Sequence, residues 1–460
     1  MASHRKTHRT KPDNEKKSRE LLELDAALSE GRFQHVIDAL SNRMRTGKRS
    51  PISLYQLGMA WLGLKDVSQA TKYFEESIAA GGNPTAAQQQ LARAYFLLGR
   101  FSDAAKTLRL LIQSNAGYIE YWRNLVLALE SHADVESALV VCHEAIDRFP
   151  KDASLFRQLG DLHYAKENWT EATNAYRQCV ERDASREDAR KRYVALLRRV
   201  GDRQSVCEAL DQWLQFAPNH PIAEHLRGAY IEGSPPTRAS DDYVRELFDQ
   251  FADTFDAKLT ELGYQAPQSL AEHLMRLKLP HTRSLQVLDA GCGTGLLGEW
   301  LRPYAATLYG VDLSGQMLVQ AEKRSLYDEL TEAELTAYLV ARTNAFDLVA
   351  SADTLNYFGD LRPFCAAARS ALRSVGGWLA FTLESHSSSD GLSSKTEESE
   401  YVLQPSGRYT HATDRVVEIL RTSGFIEIEL TACVLRQEAG RDVCGVVISC
   451  RTEPAVSDQR

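Results

Sequence analysis

The segment Ser284-Leu-Gln-Val-Leu-Asp-Ala-Gly-Cys-Gly-Thr-Gly295 runs from apolar residues through one carboxylate into three spaced glycines, and a second carboxylate, Asp312, follows. An apolar strand feeding a glycine turn and then a helix, here Leu296 to Pro303, is the layout of a nucleotide site in a doubly wound sheet. Gly293, Gly295 and Gly298 also satisfy G-x-G-x-x-G, which taken alone points to a dinucleotide with its pyrophosphate on the helix N-terminus. Asp289 argues against that ligand. A fixed carboxylate closing the strand would face two phosphate charges, costing roughly 1–4 kcal/mol at ~4 Å for dielectrics between water and a protein surface.

The same carboxylate suits a cation, and S-adenosylmethionine carries an ammonium and a sulfonium but no phosphate. On this reading Asp289 holds the methionine end, directly or through water. Gly291, Gly293 and Gly295 let backbone approach the ligand closely, because no Cβ intervenes. Asp312 ends a second strand, Thr307 to Val311, where its two oxygens can accept from both vicinal ribose hydroxyls.

Val287-Leu-Asp-Ala-Gly-Cys-Gly-Thr-Gly295, Gly310-Val-Asp-Leu-Ser314 with Met317, and Phe346-Asp-Leu-Val-Ala-Ser-Ala-Asp353 resemble the first, second and fourth motifs of class I S-adenosylmethionine-dependent methyltransferases, over residues ~241–452. The resemblance implies a Rossmann-like α/β domain whose seven-stranded sheet has the order 3-2-1-4-5-7-6, with the seventh strand antiparallel. It also implies a cofactor set. Asp289, Gly291, Cys292, Gly293, Thr294 and Gly295 would serve the methionine moiety, Asp312 the ribose, and Leu313 and Met317 the adenine. Glu334, followed by Leu335, takes the place of the family's usual third-motif Asp, and Asp353 closes the fourth motif. The third strand is expected to be very short.

A finer resemblance reaches predicted methyltransferases with N-terminal tetratricopeptide repeats. Its phrases are Tyr243-Val-Arg-Glu-Leu-Phe-Asp-Gln-Phe-Ala-Asp-Thr-Phe-Asp256, Tyr327-Asp-Glu-Leu330, Leu355-Asn-Tyr-Phe-Gly-Asp360 and Gln404-Pro-Ser-Gly-Arg-Tyr-Thr-His411. The first implies helices across the cofactor mouth, although its aromatic residues read equally as core anchors.

Methyl transfer from a sulfonium is a direct displacement, so positioning is the main task, worth roughly 7–11 kcal/mol. A general base is needed only where the acceptor must lose a proton. Asp353 and His411 are the catalytic candidates, while Tyr357, Arg408, Tyr409 and His411 are candidates for holding substrate. Arg408 either pairs with an anionic substrate or caps the following helix. The chain lacks the Asn/Asp-Pro-Pro-aromatic motif of adenine amino methylation, the Pro-Cys nucleophile for cytosine C5, and the carboxylate cluster of metal-dependent O-methyltransferases, so no metal is expected.

The elements that must carry these residues occupy only half of a 460-residue chain with 43% apolar residues and net charge -8. The first half is a repeat. Small residues recur with a 34-residue step at Val36, Ala70, Ala104, Ala138, Ala172 and Val206. The columns Leu24, Gly58, Ala92, Val126, Gly160, Val194 (slim) and Leu40, Phe74, Leu108, Cys142, Tyr176, Leu210 (mostly bulky) keep the same step. This pattern resembles the tetratricopeptide repeat, in which two antiparallel helices cross closely at the small column. It implies an all-α superhelix over 17–231, about six repeats plus a capping helix, whose concave groove takes a protein or peptide. A Pro/Gly linker at 232–240 and the second domain at 241–452 follow, with tails at 1–16 and 453–460.

The basic tail reads as solvated, with an RNA contact as the lesser alternative. Ser385 to Ser399, rich in Ser and Glu, reads as a mobile loop over the substrate side, with plain disorder as the alternative. No apolar run approaches a membrane span, and the 8 cysteines form no CxxC pair, so reduced thiols and a cytoplasmic location are expected. The leading expectation is a methyltransferase whose repeats recruit a protein or carrier-bound acceptor. The alternatives are a repeat scaffold with a cofactor-binding but non-catalytic second domain, and a small-molecule methyltransferase.

Overall fold

The computed structural model describes residues 22–45, 49–231, 235–277, 279–280, 282–386, 399–438 and 440–452. The two tails and most of the Ser385 to Ser399 segment lie outside the described residues. The chain divides into two compact units, Met1–Asp202 and Arg203–Arg460.

The first unit is helical throughout. From the pair Pro51–Gly63 and Val67–Ala79, each repeat is two helices joined by a short turn. Ser50, Asp66, Asn83, Asp134 and Asp152 accept from backbone N–H groups at the starts of their helices, and Pro51 and Pro84 occupy first turns, where a missing N–H costs nothing. The small column is buried from Val36 to Ala172. Close crossing is visible at its partner columns. A Cβ on Gly58 would lie 2.5 Å from the Phe74 ring, and one on Gly160 would lie 2.8 Å from the Tyr176 ring. The turns share one strained position, because Gly31, Lys65, Gly99, Ala133 and Glu167 all have φ between 58° and 75°.

The second unit begins earlier than the expected boundary at 231. Helices Arg203–Phe216 and Pro221–Gly228 continue the repeat pattern, with Val206 and Leu210 in register and buried, yet they belong to this unit. The physical reason lies in the second helix. His225 bonds the Gly407 carbonyl at 2.8 Å, and its ring centroid lies 4.0 Å from that of Tyr243. The expected linker is also built in: Ala239 donates to the Tyr357 carbonyl, and the Thr237 carbonyl accepts from Gly359 and Asp360.

The sheet has the order β3-β2-β1-β4-β5-β9-β8. Its strands are β1 (Leu285–Ala290), β2 (Ala305–Asp312), β3 (Glu329–Glu332), β4 (Leu348–Ser351), β5 (Trp378–Glu384), β8 (Phe425–Glu438) and β9 (Arg441–Thr452). The pairs among β1 to β5 are parallel, whereas β9 runs antiparallel to both β5 and β8. Through β5 the order is the expected one. The C-terminal part differs by an inserted ribbon, β6 (Tyr401–Leu403) paired with β7 (Tyr409–His411).

Val287, Leu308, Leu348, Ala350, Ala380 and Val447 pack with Leu270 and Leu274 of helix Ala266–Arg276 to form the core of this unit. Burial on both faces explains the continuous apolar run of β1. The phrase Tyr243 to Asp256, expected to form helices, lies in a broken run of Asp241–Asp249, a 3-10 turn Ala252–Thr254, and Phe255–Glu261. Cys142, Cys179, Cys292, Cys365 and Cys450 are buried, whereas Cys444 is exposed, and all eight thiols are free.

Candidate cofactor and acceptor site

Parallel strands of one sheet end on one edge, so β1, β2 and β4 deliver Asp289, Asp312 and Asp353 to the same side. There a cavity of about 1090 Å³, open mouth included, is lined by all three carboxylates, the glycine loop, Leu313, Met317, Glu334, Leu335, Tyr357 and Arg408.

The loop after β1 turns sharply, with φ of 77°, 53° and 87° at Gly291, Gly293 and Gly295. A side chain at Gly291 would strike Thr354 at 2.2 Å, while one at Gly293 would meet nothing within 4 Å and would stand in open space beside the cavity wall. Asp312 is tied to this loop: its Oδ2 accepts from the Gly293 N–H at 2.8 Å and its Oδ1 from the Ser314 N–H at 2.9 Å. Each oxygen keeps a lone pair for a further donor. Burial raises its pKa against these bonds.

Asp289 is buried, and its Oδ2 accepts from the Tyr327 hydroxyl at 2.6 Å. Burial pushes its carboxyl up to about 7, opposed by that bond. Tyr327 also explains the third glycine of the G-x-G-x-x-G match. A Cβ on Gly298 would stand 2.6 Å from the Tyr327 hydroxyl, so Gly298 clears space for Tyr327, a need unrelated to phosphate. A buried carboxylate and a ring that closes over the loop are the wrong surroundings for pyrophosphate. They fit a cationic ligand with a vicinal diol, as S-adenosylmethionine requires.

Thr294 points away from the loop, toward the broken helices. Its Oγ1 donates to Asp256 Oδ1 at 2.6 Å, and Arg324 joins them, donating from Nε to the Thr294 carbonyl at 2.7 Å and from Nη2 to Asp256 Oδ2 at 2.6 Å. Asp249 accepts from Ser314 at 2.5 Å and Asp253 from Gln320 at 2.8 Å. The bend between the helices thus presents three carboxylates to the cofactor side, while Phe248, Phe255 and Leu259 line the cavity. Glu334 lines it too, but its oxygens cap helix Leu335–Val340 by accepting from Thr336 and Ala337 at 3.0 and 2.7 Å.

At the other end, Asp353 has φ of 60°, accepts from the Asn356 amide and has both oxygens 3.5 Å from Arg436 Nη1. Arg436 is buried and also binds Glu384 at 2.5 Å and Glu438 at 2.7 Å. Arg408 adds Nη1 to Glu438 at 2.8 Å and Nε to the Tyr357 hydroxyl at 3.4 Å. Arg436 and Glu438 escape sequence reasoning, their one signal being charges that interrupt an apolar strand. Tyr264 also lines the cavity, and burial, then the Asp353 charge, raises its pKa.

Two residues expected at the acceptor stand outside the cavity wall. His411 is buried with Nε2 3.1 Å from the Gly359 carbonyl, and burial pushes its imidazole down to about 4. Tyr409 donates to the Pro236 carbonyl at 2.8 Å. Both hold the ribbon in place, and all three residues of β7 are buried.

A family model described as a methyltransferase domain matches residues 288–381, and one described as a tetratricopeptide repeat matches 62–129. A ubiquinone biosynthesis O-methyltransferase of Thiobacillus denitrificans is 30% identical over 218 residues, covering 41% of this chain and 92% of that protein. A malonyl-[acyl-carrier protein] O-methyltransferase of Enterobacter lignolyticus is 35% identical over 105 residues, covering 23% of this chain and 41% of that one. Human methyltransferase-like protein 27 is 36% identical over 86 residues, 18% of this chain and 35% of that one. The chain therefore spans less than half the length of the last two.

Proposed function

Because the chain belongs to the class I S-adenosylmethionine-dependent methyltransferases, with tetratricopeptide repeats ahead of the methyltransferase domain, we propose that it methylates an acceptor brought in by those repeats. When bound, S-adenosylmethionine supplies a methyl group on a sulfonium, open to in-line displacement. Asp289 holds the ammonium end, Asp312 receives the ribose hydroxyls, and Leu313 and Met317 pack on the adenine. Glu334 shapes the adenine end through the helix it caps, with Leu335 beside it. Phe248, Phe255 and Leu259 exclude water. The acceptor lies between Tyr357, Arg408 and Asp353.

The single observation that carries this reading is the placement of Asp289 and Asp312 in one cavity, joined by the glycine loop whose Gly293 N–H donates to Asp312. Recruitment by the repeats is supported by a hollow of about 1030 Å³, open mouth included, in the first unit. Phe96, Leu97, Tyr118 and Leu127 line it beside Arg93 and Asn124. Gln90 there has a buried Oε1 without a partner among the described residues, which an N–H of an extended peptide would satisfy. The groove therefore favours a protein or carrier-bound acceptor.

The test is incubation with methyl-labelled cofactor and fractionated lysate. Label enters the protein or carrier fraction with the wild type and not with the Asp289→Ala/Asp312→Ala variant. Label confined to free small molecules would overturn the recruiting role of the repeats.

A further inference from the structure

We propose that the acceptor atom is a carboxylate oxygen, held by Arg408 and converted to a methyl ester, an inference that rests on the methyltransferase reading above.

The residues that could take a proton decide the chemistry. Among the described residues no histidine or lysine lines the cavity. Asp289, Asp312 and Glu334 belong to the cofactor end. Asp353 is the remaining carboxylate on the wall, and its oxygens face Arg436 and accept from Asn356. Both of its oxygens are thus already engaged, by the Arg436 guanidinium and the Asn356 amide. Glu384 and Glu438 are bound to Arg436, and Glu438 to Arg408 as well. Alcohol, phenol and ammonium acceptors all have a proton to lose, and among the described residues that line the cavity no unengaged carboxylate or imidazole is placed to take it. A carboxylate is already anionic at neutral pH.

Arg408 offers the matching contact. Glu438 fixes Nη1, which also lies 3.7 Å from Glu384 Oε1, and Tyr357 accepts from Nε, while Nη2 has no partner among the described residues. A guanidinium anchored on two sides and free on the third presents a directed donor to an oxyanion. Phe248, Leu259, Pro267 and Phe358 supply apolar wall on the same cavity, which suits a carboxylate on an apolar stem. The balance is simple: the carboxylate oxygen bonds the methyl carbon as the carbon–sulfur bond breaks, the electron pair stays on sulfur, and no proton moves. Anion and sulfonium become a neutral ester and a neutral thioether. The ester has lost the charge that Arg408 held, which favours release.

The experiment treats the methyl-labelled product of the full-length enzyme with mild alkali, which cleaves methyl esters to volatile methanol and leaves N-methyl and aryl ether groups intact. We expect the label to leave as methanol. Arg408→Ala should lower transfer by about 100-fold and Arg408→Lys by less, from the loss of a hydrogen bond between charged groups. Both variants should bind S-adenosylmethionine as the wild type does in calorimetry, which also reports that they fold. Alkali-stable label, or wild-type transfer by Arg408→Ala, would overturn the carboxylate assignment while leaving methyl transfer intact. No label in any fraction, from enzyme that binds cofactor, would contradict transfer itself.

Discussion

His225 Nε2 lies 2.8 Å from the carbonyl oxygen of Gly407, the residue that precedes Arg408. A helix with repeat-type sequence therefore fixes the turn that presents the acceptor-side arginine. Gly407 is obligatory there: its φ is 84°, and a Cβ would meet the Tyr243 hydroxyl at 2.3 Å. Burial lowers the His225 pKa, so the ring is neutral at pH 7 and donates to the carbonyl. His225→Ala should raise the acceptor KM by about 10-fold, the worth of one buried hydrogen bond. The cofactor Kd should stay within about twofold, and steady-state kinetics beside calorimetry separate the two.

Asp256 and Arg324 link a covering helix to the glycine loop through Thr294. The Asp256–Arg324 pair is partly exposed, with side-chain accessibilities of 46% and 23%, so screening limits its worth. Arg324→Ala should speed cofactor release by about 3–10-fold, in line with loss of ~1 kcal/mol from an exposed pair. Stopped-flow displacement of bound S-adenosylhomocysteine reads this rate directly.

Asp289 has a carboxyl pKa pushed up to about 7 by burial. A cationic ligand prefers its ionised form, so binding is tightest above that pH and weakens as Asp289 takes up a proton. Between pH 7 and 5.5 the cofactor Kd should rise by up to ~10-fold per pH unit, the limit for one linked proton. Tyr327→Phe removes the bond that opposes protonation and should move this weakening to higher pH. Titration calorimetry in buffers of different ionisation heat counts the proton.

The glycine loop, Asp289 and Asp312 are legible in the sequence because strand, turn and helix follow one another along the chain. The repeats are legible for the same reason, since each packing column returns every 34 residues. What escapes is built from distant residues. Arg436 meets Asp353 across 83 positions, and Arg324 meets Asp256 across 68. No local pattern encodes such pairs. Tyr327 stands in a recognisable phrase, but its role depends on space cleared by Gly298, far from it in sequence. His411 misleads because its phrase points to function, whereas β7 is buried along its whole length and His411 bonds the Gly359 carbonyl.

The repeat turns offer a stability test. Ala133 has φ of 61° at the position where Gly31 and Gly99 have 75° and 71°. A left-handed backbone disfavours an L side chain, so Ala133→Gly should stabilise the first unit by about 0.5–1 kcal/mol, despite glycine's larger unfolded-state entropy. Chemical denaturation followed by circular dichroism should show a higher midpoint at unchanged slope.

On the function proposed above, Asp289 and Asp312 form one S-adenosylmethionine site. Calorimetric titration of the full-length protein tests it most directly. The wild type should bind one S-adenosylmethionine, and Asp289→Ala/Asp312→Ala should bind none at the same concentrations while keeping its helical and strand content. No binding by the wild type, or equal binding by the double variant, would contradict the account.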